Sequence, residues 1–455
     1  MKTKSKKAKS SDNMISMPVV NPHAAGIDIG SKSHFVCAAQ DNVKEFAVFT
    51  SDLHEIARHL KDCGIKTVAL ESTGFYWRPL FVLLQDYGFE VILVNARHLK
   101  NVKGHKTDVV DSRWLQLLHS IGLLSNSFQP DVFTHQLRNY TRHRKALIED
   151  ASRFITKMNK TLVLMNIQLK AVLRDIAGES GMRVIRAILA GERDARNLEP
   201  LVSELCQSDR KDILKALTGD WREEYLFELQ DCYDLYHYYW QKIRNIDKEI
   251  ERMLEIHSKQ VQHEVSKKDY KPDKKKQHQR NDPQIDIEGF AYEITGGVDL
   301  LQIPGVGINT ILTMMSETGF DLSEFKTAKH FVSWLGFAPN RKISGGKVLS
   351  SKTRKKTNPL SKIIRDAANA AGNSKSRLGD FFRRLSYRKG RMVAITATAR
   401  KIGVIIYTML KNKQPFCYEY SQDDSQRIKT VKIKNVLKTL QSYNISKNDI
   451  EMAWA

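Results

Sequence analysis

Cysteine is scarce in this chain of 455 residues. The five that occur, Cys37, Cys63, Cys206, Cys232 and Cys417, are scattered, odd in number and never form a Cys-x-x-Cys pair. That spacing argues against a disulfide framework or a zinc ribbon and for a reducing compartment. No apolar run is read as long enough to span a bilayer, and the lysine-rich start at 1–9 leads into Ser and Asp instead of a signal-type apolar core. The protein is therefore expected in the cytoplasm, with no membrane partner. Acidic residues are the minority charge: 51 Asp and Glu stand against 73 Lys and Arg, a formal net charge of +22. A polyanion is the natural partner of such a surface, and binding carried by counterion release weakens steeply with salt.

Among the few acids, four fall on informative positions. The apolar run 24–30 holds Asp28 and closes with Gly30, which reads as a strand ending in a turn. Strands at 34–39 and 45–49 follow after turn-sized gaps, so the sheet opens as an antiparallel meander. An ionised carboxylate inside a buried strand needs a cation or hydrogen bonds to compensate it. An amphipathic segment at 52–62 precedes a strand at 67–71 that ends on Glu71, at the end of an α/β strand where ligands bind. A helix at 76–87, a strand at 89–94 and a basic connection at 97–106 complete a βββαβαβ order, a mixed sheet with helices packed on it. The helix that follows carries Asp108 and Asp111 in its first turn, three residues apart and so on one face, with Asp108 at the positive end of the dipole.

No His or Cys pair stands at ligand spacing nearby. A set of carboxylate oxygens suits Mg²⁺ or Mn²⁺ better than zinc. Two such ions about 3.5–4 Å apart can clamp both oxygens of a phosphodiester displacement. Each acid also has an ordinary reading alone: a turn hydrogen bond for Asp28, a solvated strand end for Glu71, a helix cap for Asp108 and a pairing with Arg113 for Asp111.

Residues 135–172 contain no Pro or Gly, and Leu137, Tyr140, Leu147, Ala151, Phe154, Met158 and Met165 recur at helical steps. A second seam runs through Leu229, Cys232, Tyr236, Tyr239, Ile243, Ile246, Ile250 and Met253. The two are expected to pair within one subunit or to build a dimer. Arg138, Arg142, Arg144, Lys145 and Arg153 lie on or beside the first seam, where packing is favoured over phosphate contact. Residues 267–283 are almost devoid of apolar side chains and read as an unfolded linker. The stretch 300–312 holds Pro304, Gly305 and Gly307, and is similar to the hairpin of a helix-hairpin-helix module, whose N–H groups can face a phosphate. Around Ser344, Gly345 and Gly346 allow close approach while Arg341, Lys342 and Lys347 add positive charge. By itself this is a phosphate-binding loop or a basic hairpin tip, with the serine more often a donor than a nucleophile.

The segments 26–30, 69–74 and 106–111 resemble the RuvC-like DEDD domain of a bacterial insertion-sequence transposase family, number one-hundred-and-ten, whose members are guided by a structured bridge RNA. Gly336 to Pro339, Ser344 to Gly346 and helices at 359–371 and 390–410 resemble that family's second transposase domain. The resemblance implies that Asp28, Glu71, Asp108 and Asp111 are catalytic metal ligands for Mg²⁺ (or Mn²⁺). It further implies that Ser344 is the nucleophile that forms a covalent link to DNA, and that the subunits assemble as a dimer or tetramer with composite sites. Lys106, Gly305, Gly307, Arg341, Lys342, Gly345, Gly346 and Lys347 are the expected nucleic-acid contacts, with donor DNA, target DNA and a guide RNA as partners.

The expected organisation is a basic disordered tail at 1–20 and an α/β RuvC/RNase H-like domain at 21–132. A helical coiled-coil region at 133–262 and a basic linker at 263–290 come next. A mostly α transposase domain with a helix-hairpin-helix-like element follows at 291–415, then an extension at 416–455. The alternative function is a metal-dependent, structure-selective nuclease in which water attacks and Ser344 only binds phosphate.

Overall fold

The structure, a computed structural model, describes residues 18–39, 42–72, 74–95, 107–260, 264–271, 279–353 and 358–418, with isolated positions between 426 and 442. The chain divides into two compact units, Met1–Gln129 and Pro130–Ala455. The basic connection, including Lys106, lies outside the described residues, as does most of the tail and of the extension.

In the first unit the strands are β1 (Ala24–Ile29), β2 (Ser33–Ala39), β3 (Asn42–Ala47), β4 (Thr67–Glu71) and β5 (Glu90–Val94). They form one sheet in the order β3-β2-β1-β4-β5. The first three pair antiparallel, whereas β4 runs parallel to both β1 and β5. The third strand begins and ends a few residues earlier than the apolar pattern predicts, because Phe49 is exposed and leads directly into α1 (Thr50–Asp62).

Alternation along the strands sends Ile27, Ile29, Val68, Leu70 and Leu93 into a core with Ile56 and Leu60 of α1 and Leu80 and Leu84 of α2 (Trp77–Asp86). The opposite face, through Ala69 and Val94, receives Leu115 of α3 (Asp108–Ser120). The sheet is thus covered on both sides, as its parallel half requires.

The second unit is nearly all helical. Its longest elements are α4 (Val132–Leu164) and, after the short α5 (Leu169–Val172), α6 (Glu179–Leu189), α7 (Ala195–Leu198) and α8 (Arg210–Leu217), the helix α9 (Glu223–Gln260). The two long helices pair within the chain. Phe133 stacks on His257, Arg144 bonds Asp247, and Phe154 meets Tyr239, so the partner number falls as the other rises and the pair is antiparallel.

Helix α4 stops short of the predicted end although no Gly or Pro intervenes. Asn166 takes a left-handed conformation (φ 57°), which Asn tolerates. Its N–H donates to the Val163 carbonyl and that of Ile167 to the Leu162 carbonyl, the two bonds of a Schellman cap.

Three arginines of α4 tie it to other elements, whereas Arg153 is exposed and pairs with Asp150 on the same helix. Arg144 is buried and donates to both oxygens of Asp247 and to the Asn281 carbonyl. Arg142 forks onto Glu317 with two bonds of 2.9 Å, and Arg138 donates to the Ser316 and Glu317 carbonyls.

The predicted linker is folded at both ends, which corrects the compositional reading. Lys267–Asp269 form a 3-10 turn capped by Ser266, and Asp282 is buried and hydrogen-bonded by Asn309 and by the N–H of Gln279. The helix α10 (Ile287–Ile294) begins inside the range assigned to the linker. Polar bonds hold these residues where hydropathy shows nothing to bury; 272–278 lie outside the described residues.

Beyond them come α11 (Ile308–Glu317), α12 (Ala328–Trp334), the hairpin β6 (Lys342–Ser344) and β7 (Lys347–Ser350), α13 (Pro359–Ala371), α14 (Arg377–Lys389) and α15 (Arg391–Asn412). By length and composition α15 is apolar enough to cross a membrane, contrary to the sequence reading. One face of it packs into the protein: Ala399, Ile402, Ile406 and Tyr407 are buried, Gly403 lies against Val332 of α12, and Tyr407 donates to the Phe325 carbonyl.

Candidate active site

The placement of the four acids follows from how α3 lies on the sheet. A Cβ on Gly26 would stand 2.3 Å from the Gln116 nitrogen and 2.7 Å from the Ser112 carbonyl oxygen, so glycine alone permits this approach. The Gln116 amide donates to the Ala24 carbonyl (3.2 Å), and Thr67 Oγ1 meets His119 Nε2 at 2.9 Å. Helix α3 therefore descends as β1 rises, with His119 at the level of Ala24 and Thr67, Gln116 against Gly26, and Ser112 higher, toward Asp28.

Ser112, Leu115, Gln116 and His119 make the buried stripe of α3, and Asp108 and Asp111 continue that stripe by one turn. On the sheet, Asp28 shares the face of Gly26, and Glu71 shares that of Ala69. The ladder pairs Ile27 with Leu70, so Asp28 and Glu71 stand at the next rung. All four carboxylates thus occupy one end of one face: the carboxyl ends of β1 and β4 and the amino end of α3. Asp28, Glu71 and Asp111 are half-buried and Asp108 is exposed. The Thr107 side chain caps the helix by accepting from the Val110 N–H.

Among the described residues no three His, Cys, Asp or Glu side chains are already drawn together as a ligand set, so the expected ready-made pocket is not formed. The donor set itself fits a hard divalent cation, being carboxylate oxygen throughout with no thiol or imidazole among the four. Burial lowers the pKa of His119, which lies below the rim beside Thr67, and of His34, which pairs with Ile29 one rung beyond Asp28.

Ser344 lies in the second unit at the end of β6. Gly345 and Gly346 (φ 54° and 76°) make the two-residue turn, a type I′ geometry, and Ser344 pairs with Lys347 across it. The hairpin from Arg341 to Leu349 is exposed throughout, including Lys342 and Lys347. Of the two readings of this loop, the structure shows the hairpin tip. Among the described residues no base is hydrogen-bonded to the Ser344 hydroxyl.

Gly305 (φ 88°) is spent on packing: a Cβ there would lie 2.1 Å from the Ala367 carbonyl oxygen of α13. Gly307 precedes α11 beside an open cleft of about 370 Å³, whose lining also includes the carboxylates of Asp282 and Asp366. Those charges work against a phosphate at this helix start.

Residues 25–167 match the family model of the DEDD transposase domain of IS110 elements, and residues 299–383 match that of the transposase IS116/IS110/IS902 family. Together the two take in about half of the chain. The chain belongs to the IS110 family of transposases. It is accordingly an enzyme of the DNA transposase/recombinase class, and DNA is its partner. The first match carries all four acids and ends just past the Asn166 cap, whereas the second carries Ser344 and ends within α14. No curated protein matches the chain.

Proposed function

We propose that this IS110-family transposase cuts and rejoins DNA strands through Ser344, with Asp28, Glu71, Asp108 and Asp111 holding Mg²⁺ or Mn²⁺ in a RuvC/RNase H-like domain. The observation that carries the reading is the common face and common end of the four carboxylates. The Ser344 Oγ attacks phosphorus, one serine–phosphate ester bond forms as one deoxyribose–phosphate bond breaks, and the hydroxyl proton departs to solvent or to the displaced oxygen. A later attack by a DNA hydroxyl on that ester restores the phosphodiester and frees the serine, so no external energy source is required. A divalent cation, when bound, supplies the charge that stabilises the displaced oxygen. The exposed position of Ser344 gives a phosphodiester access, and Lys342 and Lys347 favour its approach.

Sequence choice is assigned to a bridge RNA and the working form to a dimer or tetramer. The five cysteines, all free thiols, accord with a reducing cytoplasm.

The unsupported Ser344 hydroxyl favours a second reading, a RuvC-like nuclease in which water attacks and the serine only binds phosphate, because a serine needs activation to react. Trapping separates the two. Denaturing a reaction with labelled DNA is expected to leave label covalently on the wild type and none on Ser344→Ala. Metal-dependent cleavage without any adduct would establish the nuclease instead.

A further inference from the structure

The turn between α14 and α15 carries a surface that neither the carboxylates nor the serine hairpin uses. Tyr387 there is 94 % exposed, and Met392 and Val393, just across Gly390, are 75 % and 47 % exposed. From residue 381 to 418 the sequence has no Asp or Glu and nine Lys or Arg.

The cations sort by direction. Those turned to the protein are engaged: Arg383 donates to the Gly372 and Ser374 carbonyls and to Asp380, Arg391 to the Asn369 side chain at 2.8 Å, and Arg377 lies over the Tyr418 ring. Those beside Tyr387 are not. Arg384, Arg388 and Lys389 are exposed and have no ion-pair partner among the described residues.

We propose that this tip is a stacking platform for an unpaired nucleobase, with Tyr387 carrying the base and Arg384, Arg388 and Lys389 holding the phosphates on either side. An exposed aromatic ring with Arg384 one turn before it on the same helix face, and with Arg388 and Lys389 exposed next to it in sequence, suits a single strand, since every base offers a π-face and the backbone is everywhere anionic. A closed duplex offers no face for the ring without unstacking. A second copy of the chain would set like charge against like. The site begins where the second family match ends, at residue 383. It goes beyond the cutting chemistry and needs neither the four acids nor Ser344.

The test uses the full-length protein with short single-stranded DNA and RNA oligonucleotides carrying one 2-aminopurine, and a closed duplex of the same sequence. Tyr387→Ala is expected to weaken single-strand binding about tenfold and to reduce the quenching of 2-aminopurine, while Tyr387→Phe stays near wild type and duplex affinity is unchanged. Comparison of the DNA and RNA arms tells which strand is preferred. Arg384→Gln with Arg388→Gln should weaken both kinds of binding and flatten the salt dependence. Equal affinities of wild type and Tyr387→Ala for single strands would overturn the proposal. So would an equal loss on duplex, or a change in sedimentation with nucleic-acid binding intact, which would mark the tip as a protein contact.

Discussion

Gly26 and Gln116 sit backbone to backbone, with only 2.3 Å between the Gln116 nitrogen and the point where a Cβ on Gly26 would be. That closeness fixes how far Asp108 and Asp111 reach over the sheet toward Asp28 and Glu71. Gly26→Ala is expected to displace α3 from β1. The clash is with backbone and cannot be relieved by a rotamer, so the cost should reach or exceed the ~1–3 kcal/mol typical of overpacking. Strand cutting should be lost with all four acids intact, and faster amide exchange in β1 and α3 would register the displacement. A variant with wild-type exchange and activity would refute the role given to this glycine.

The rim of carboxylates should respond to metal in opposite senses with and without Asp108. In metal-free buffer Asp108→Asn is expected to leave the first unit as stable as wild type or more so, because one repelling charge is gone. Added Mg²⁺ should stabilise the wild type, by about 2.7 kcal/mol at a hundred times its dissociation constant, and the variant much less. Thermal melts with and without chelator measure both arms. An equal response of the two proteins would remove Asp108 from the ligand set.

At the serine hairpin the turn conformation can be varied without touching Ser344. Positions 345 and 346 have positive φ and no neighbour that a Cβ would meet, so only backbone strain is at issue. Asn at the first turn position tolerates that conformation, whereas a β-branched residue does not. Gly345→Asn should retain the covalent adduct with DNA and Gly345→Val should lose most of it, both with unchanged melting temperature. Adduct yield on denaturing gels decides.

Acid should weaken the first unit through its buried histidines. Burial holds the His119 pKa below its ordinary 6.5, and His34 is shifted in the same direction for the same reason. The unfolded chain therefore takes up protons before the folded one does. Stability is complete above about pH 6.5 and falls as pH drops below it toward the folded value. His119→Gln should lessen that slope between pH 7 and 5, followed by exchange at β4 and α3; an unaltered slope would assign the acid sensitivity elsewhere.

The acids were readable because each ends or begins a regular element: Asp28 and Glu71 on apolar strands, Asp108 behind the Thr107 cap. The close approach of α3 to the sheet was not, since it depends on Gly26, a glycine inside a strand whose meaning appears only when another backbone lies against it. Asn166 stopped a helix that a search for Gly and Pro carried further. Residues 279–283 look too polar to fold, yet the Asn281 carbonyl and the Asp282 carboxylate complete bonds from Arg144 and Asn309. The Arg144–Asp247 pair joins residues 103 apart, a separation at which local pattern carries no information.

The long helices α4 and α9 face each other head to tail, locked near one end by Phe133 on His257, in between by Arg144 on Asp247, and farther along by Phe154 against Tyr239. Such a rod resists change in length on one side alone: deleting residues from α4 between any two of these locks would turn the others away from their mates. Natural drift in its reach should therefore come as matched gains or losses on both strands of the rod, in whole turns, with any odd remainder left to the caps.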